Sequence, residues 1–234
     1  MHVGDLRYAA VGLICRRAEY EDAARLLNYS HAPVFVIKGD NDWTDCPNPQ
    51  DGLRYWHDNF EGFEGKHWNH NFDIRRQENR PDNFAFVHKG TLFMGLNIIG
   101  GDRTSASYVE WTERLSSEAD WVIQMISEYV EEQGDAVGRI VMFGHANPNH
   151  LHNEFFTPLR RYIRDSLDNS IPMLYLNGDK HEWSYDPDFY EQESFLRMMV
   201  SGKGIEPPLR VEVTADGTYM DPVDAFQYDR MISR

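Results

Sequence analysis

Four apolar runs frame the chain, because each one stops at a glycine followed by short polar side chains. Pro33 to Trp43 reads PVFVIKGDNDW. Val34 to Ile37 show no polar alternation, the pattern of a strand buried on both faces, and Gly39 then lets the backbone turn sharply. Arg139 to Phe143 is a second such run and ends at Gly144-His145; Met173 to Leu176 is a third and ends at Gly178-Asp179-Lys180-His181. The chain enters on the end of a fourth, His2-Val3 running into Gly4-Asp5. Between that entry and Pro33, the stretch Glu19 to Leu27 sets Tyr20, Ala23, Ala24 and Leu27 at helical spacing. The pattern predicts a βαβ unit with a right-handed crossover, so that two acidic loops emerge on one edge.

The remaining segments fill in an α/β fold, read as one domain over residues 1–234. Thr44 to Asn83 is polar and aromatic without a sustained period, and is expected to be a long structured loop with short helical turns. Its aromatic residues Trp56, Phe60, Phe63, Trp68 and Phe72 are expected to overhang the site; His57, His67 and His70 read as surface or packing histidines. Phe84 to Val87 and Thr91 to Ile99 form a predicted hairpin across the turn HKG, with nothing chemical in it. Tyr108 to Glu132 reads as a helix or a broken pair of helices, burying Trp111, Leu115, Val122 and Ile126. Phe155 to Leu167 is amphipathic, with Arg160, Arg161 and Arg164 solvated. Leu209 to Val213 and Ala225 to Arg230 read as closing antiparallel strands separated by an ADG turn.

Charge narrows the function classes. A net charge of −15 and a pI near 5.0 oppose a sequence-independent hold on nucleic acid or an anionic bilayer. An anionic substrate would therefore need a local cation. No apolar run reaches the roughly 18 residues of a membrane span, and MHVGDLR lacks the apolar stretch of a secretory signal, so the chain reads as soluble. Cys15 and Cys46 match no zinc-finger spacing or disulfide framework and are expected to be free.

If the crossovers bring the four glycine-ended strands to one edge, the acidic, amide and imidazole side chains of Asp5, Asp40, Asn41, Asp42, His145, Asp179 and His181 converge there. Mixed oxygen and nitrogen donors suit manganese, iron or zinc. The expected product is a dinuclear site, whose two divalent ions would supply the missing positive charge for a phosphoryl group.

The order of these motifs, GD, then GNH[DE] read as GDND, then GH, then GHxH read as GDKH, resembles that of the calcineurin-like metallophosphoesterases over nearly the whole chain. The resemblance implies a two-sheet β-sandwich flanked by helices, in four layers αββα. It implies that Asp5 bridges two metals, that Asp40, His145 and Asp179 bind the second, and that His181 binds the first. Three departures from the family pattern follow. The family's DxH motif has no counterpart, so the first site is expected to be incomplete, the strand carrying DxH missing, and the chain N-terminally truncated. Asp40 stands where the family has its ligand asparagine, while a one-residue shift would make Asn41 the ligand; both alternatives stay open. Asp179 replaces an imidazole, which favours manganese or magnesium over zinc. The implied activity is hydrolysis of a phosphate mono- or diester by a metal-held hydroxide, with Asn41 and Asp42 as catalytic positions. Because Asn41 cannot deliver a proton near neutral pH, His150 and His152 are candidate general acids. The rival expectation is an inactive remnant that binds metal or phosphate.

Overall fold

The computed structural model describes residues 1–7, 14–101, 108–133, 137–167, 170–202, 206–214 and 222–231. A seven-stranded mixed sheet organises them. Its strands are β3 (Arg75–Gln77), β4 (Arg80–His88), β5 (Thr91–Gly95), β6 (Arg139–Phe143), β7 (Met173–Asn177), β8 (Ser184–Asp186) and β9 (Phe195–Met199), in the order β3-β4-β5-β6-β7-β9-β8. The central strands β5, β6, β7 and β9 run parallel, and both margins are antiparallel. The β4–β5 hairpin closes as the sequence suggests, with Lys89 and Gly90 both at positive φ, the geometry that matches the twist of the flanking strands.

Side chains alternate strictly across this sheet. Ile140, Met142, Met173 and Tyr175 face a core shared with α4 (Tyr108–Gln133) and α5 (Asn153–Ser166), while Val141, Phe143, Leu174 and Leu176 face the opposite core. That second core is closed by two short strand pairs. One is parallel, β1 (His2–Val3) with β2 (Val36–Ile37); the other is antiparallel, β10 (Arg210–Val213) with β11 (Phe226–Asp229). At β2, Ile37 and the preceding Phe35 point at the large sheet and Val36 points the other way, into a third core with α1 (Arg17–Leu27), α2 (Pro49–Phe60) and α3 (Phe63–His67). Helices, large sheet, short pairs and helices thus stack in succession. No helix among the described residues is long and apolar enough to cross a membrane.

Several expectations need correction. The stretch Thr44 to Asn83 holds two helices and a strand rather than a loop, and its rings are packed inward: Trp56, Phe60 and Phe63 are buried with α1, and Phe72 stacks on Phe86. They form core and do not overhang the strand ends. Of the two readings of the stretch from Tyr108, the single helix holds, over 26 residues. The strand at Pro33 is regular only at Val36–Ile37. Strands β8 and β9 are additional to those predicted. Cys15 and Cys46 are not free but form a disulfide that ties the approach to α1 to the loop after β2. The two closing strands pair as expected, whereas the ADG turn lies outside the described residues.

Candidate metal centre

The carboxyl ends of β1, β2, β6 and β7 meet at one edge of the layers, where open α/β sheets place their ligands. Gly4 and Gly39 make the approach possible. A Cβ on Gly4 would lie 2.6 Å from the Gly39 nitrogen and 2.6 Å from His145 Nδ1, and one on Gly39 would lie 2.1 Å from Asp5 Oδ1. Asp5, Asp179 and His181 each hold a left-handed backbone, with φ of 58°, 73° and 59°. Non-glycine residues persist there only where their surroundings over-determine them, and such strain gathers at functional sites.

Asp5, Asp40 and His145 form the heart of the cluster, each offering a ligand atom within 4.8 Å of the others. His145 Nε2 lies 3.1 Å from Asp40 Oδ1 and 3.3 Å from Asp5 Oδ1. Ligands adjacent around one ion at bond lengths of about 2.1 Å are separated by roughly 3.0–3.4 Å, so these spacings fit a shared cation. The other ring nitrogen, Nδ1, is 2.7 Å from the Val3 carbonyl and donates to it, which orients the ring so that Nε2 faces the carboxylates. His181 approaches the same carboxylate from its other oxygen, Nε2 standing 3.7 Å from Asp5 Oδ2.

Electrostatics agree with a place built for positive charge. Burial pushes the Asp5 carboxyl up to about 8, the charges of Asp40 and Asp42 add to that, and His145 opposes it. Burial would also raise Asp40, but the hydrogen bond and charge of His145 and nearby backbone donors hold it below its ordinary value. For His145, burial works against protonation, yet the two carboxylates lift the imidazole to about 9.

Asp179 joins from β7. A Cβ on Gly100 would lie 2.9 Å from Asp40 Oδ2 and 2.9 Å from Asp179 Cγ, so both carboxylates crowd onto the bare face of that glycine. Asp179 Oδ2 accepts the Asn147 backbone N–H at 3.1 Å. The segment around Ile99, read as chemically idle, therefore contributes to the site; Gly100-Gly101 following the apolar run was the available signal. Asn41 donates its side-chain amide to Asp5 Oδ2 at 2.9 Å and its backbone N–H to Asp40 Oδ1 at 3.1 Å, orienting both acids. Asp42 is fully buried and accepts from the backbone of Gly39 at 2.9 Å and of Arg7 at 3.3 Å, so it shapes the loop.

The two candidate acids part ways. His150 is exposed in a 3₁₀ turn, and among the described residues no hydrogen bond or ion pair links it to the triad. His152 is 1% exposed, with its ring against Trp111 and Nε2 on the Ile99 carbonyl at 3.1 Å. His57 pairs with Glu61, His67 packs on Phe63, and His70 stacks on Phe72, as surface and packing residues do.

No family model matches the chain, and no curated protein matches it in sequence. Among solved structures, its fold is similar to that of a 5′-nucleotidase from Candida albicans SC5314, with a TM-score of 0.55 and 13% identity. The likeness covers 88% of this chain but 37% of the nucleotidase chain, so this chain spans little more than a third of that protein's length. The similarity speaks for the fold alone, a mixed α/β architecture, and the triad of Asp5, Asp40 and His145 is a group that could hold a metal ion within it.

Proposed function

We propose that this chain is a metal-dependent phosphoester hydrolase of the calcineurin-like type, acting on a phosphate mono- or diester at a dinuclear centre. The observation that carries the reading is the convergence of Asp5, Asp40 and His145 at the strand ends of a phosphoesterase-type fold. Asp5 suits the bridging role, because its two oxygens face different imidazoles, His145 at 3.3 Å and His181 at 3.7 Å. Asp40 is favoured over Asn41 as ligand, since Asp40 Oδ1 lies against His145 Nε2 at 3.1 Å while the Asn41 amide is turned to donate to Asp5. In this reading Asp179 completes the second position with Asp40 and His145, and His181 belongs to the first. Three carboxylates among five side chains make a hard donor set, which favours manganese or magnesium over zinc or iron.

When bound, divalent ions supply the Lewis acidity that activates water and neutralises phosphoryl oxygens. The protein's share is orientation. The Val3 carbonyl aims His145, the Asn41 amide aims Asp5, and the Asn147 N–H aims Asp179. Among the described residues, only His145 and His181 bring an imidazole within ion-pair distance of these acids, and the reading gives both to metal. Turnover should therefore favour esters with good leaving groups. Purified protein incubated with manganese should hydrolyse p-nitrophenyl phosphate or bis-p-nitrophenyl phosphate, and His145→Ala should abolish this. Manganese binding without turnover on either ester would favour the inactive remnant; absence of both would end the metal reading.

A further inference from the structure

Asn28-Tyr29-Ser30 is the single Asn-X-Ser/Thr triplet in the sequence, the acceptor pattern for an N-linked oligosaccharide. Three residue types in a row arise easily by chance, so the placement of the triplet has to decide. It lies at the end of α1, with Asn28, Tyr29 and Ser30 all exposed. Helices often end on an asparagine because that residue tolerates a left-handed backbone, but Asn28 has φ of −67° and ψ of −12°, ordinary helical values. Its backbone N–H bonds to the Ala24 carbonyl at 3.0 Å, while among the described residues no hydrogen bond engages its side-chain amide. Neither the helix end nor a local bond calls for an amide here. The turn that presents it is held in place, since Trp68 donates its indole N–H to the Ser30 carbonyl at 2.9 Å and Ser30 Oγ donates to the Ala32 carbonyl at 2.8 Å.

Two further observations point the same way. Both cysteines of the chain are joined in the Cys15–Cys46 disulfide. Structural disulfides form and persist in oxidising compartments, the lumen of the secretory route among them, and that is where such triplets meet their sugar. Leu26 and Tyr29, at 70% and 77%, are the most exposed large hydrophobic side chains among the described residues, and they share one turn with Asn28, the Tyr29 N–H bonding to the Leu26 carbonyl at 3.2 Å. A bulky hydrated sugar rooted between them would cover both.

We infer that Asn28 is an N-glycosylation site whose glycan shields the surface formed by Leu26 and Tyr29. The amide nitrogen of Asn28 bonds to the anomeric carbon of an oligosaccharide carried on a lipid pyrophosphate. The bond from that carbon to the pyrophosphate oxygen breaks, the pyrophosphate leaves with the electron pair, and the displaced amide proton passes to solvent. The site does not depend on the reading of the metal centre. The disulfide ties the approach to α1 to the loop after β2, and the 11 residues of α1 then carry the chain roughly 16 Å onward before Asn28.

The deciding experiment takes the protein from its own source and digests it with peptide-N-glycosidase F in heavy-oxygen water. Asn28 should appear as a labelled aspartate; an unmodified Asn28 in the native protein would overturn the inference. A second arm directs the full chain into the secretory route of yeast and analyses membrane fraction and medium together, so that poor export does not decide the result. The expected band shift is removed by the glycosidase, lost in Asn28→Gln and Ser30→Ala, and kept in Ser30→Thr. Loss of the shift in Ser30→Thr as well would assign it to misfolding, and a shift that survives Asn28→Gln would assign it to another residue; either result counts against the site. For the shielding role, native deglycosylation should lower the concentration at which light scattering detects self-association, and Leu26→Ser with Tyr29→Ser should restore it. Unchanged scattering on deglycosylation would overturn the shielding role.

Discussion

Gly100→Ala is expected to weaken metal binding without disturbing the fold. The added methyl would stand 2.9 Å from Asp40 Oδ2 and from Asp179 Cγ, and 3.0 Å from Asp179 Oδ1, where ordinary contact begins at 3.4 Å. Each carboxylate must then retreat by about 0.5 Å, more than the ~0.2 Å by which ligand distances in working metal sites vary. Neither can move freely. Asp40 Oδ1 is held by His145 Nε2 at 3.1 Å, and Asp179 Oδ2 by the Asn147 N–H at 3.1 Å. Gly100 is not among the positive-φ glycines, so an alanine there brings no backbone strain of its own. Disturbing the support of a metal site typically costs about 10- to 100-fold in affinity, and that loss is expected for manganese by isothermal titration calorimetry. Gly138→Ala, where a Cβ would meet nothing within 4 Å, serves as the control and should bind as the unaltered protein does. Melting in EDTA checks the fold; crowding a packed site costs about 1–3 kcal/mol. A folded Gly100→Ala protein with unchanged manganese affinity would refute the claim that Asp40 and Asp179 serve a common ion.

Three further outcomes test the frame around the site. Burial raises the Glu118 carboxyl to about 7 against an ordinary 4.5, with the Arg114 charge opposing, so the folded state keeps a proton that the unfolded chain releases. Stability should therefore fall as pH rises from about 4.5 to 7, by roughly 3 kcal/mol at most, and urea melts of Glu118→Gln should lose that slope; an identical slope would refute the assignment. Lys38 and Asp82 form a buried ion pair at 2.5 Å, with the Lys38 ammonium also over the rings of Trp43 and Trp56. Lys38→Met strands a buried carboxylate and should cost about 3–5 kcal/mol in urea denaturation, much of it recovered by adding Asp82→Leu; a cost near zero for the single change would count against the pair. Replacing Cys15 and Cys46 by serine reopens a loop with a sequence separation of 31 and should cost roughly 3–4 kcal/mol, read as a lowered melting temperature that reducing agent no longer shifts.

The parts legible in the sequence were those dictated by local pattern. Apolar runs ending in Gly-Asp or Gly-His pointed to Asp5, Asp40, His145 and Asp179 meeting, because a parallel arrangement of such strands leaves their carboxyl ends nowhere else to go. The parts that stayed hidden depend on what packs against what. Trp56, Phe60 and Phe63 do carry helical spacing, but Gly52, Gly62 and Gly65 interrupt it, and their burial comes from α1 lying across them. The strand β9, FLRMM, breaks its apolar run with Arg197, whose guanidinium is spent on Asn177 and Asn147 behind the site. Gly100 lay just past the predicted strand and drew no reading of its own, since two carboxylates from distant segments rest on it. The disulfide was invisible for the same reason: a sequence separation of 31 says nothing about distance in the fold.

The bond from His145 to the Val3 carbonyl joins residues 142 positions apart, and that separation sets a timetable. A ribosome adding about 5–20 residues per second needs roughly nine to thirty-five seconds after Asp5 to reach His181. Through that interval the first two acids are already made while their imidazoles are not, and the β1–β2 pair, two residues on each strand, is too small to persist by itself. If the centre binds metal as proposed, an ion would lock a chain that has already closed around its imidazoles, and a chain made without metal should still fold and be able to take up the ion later.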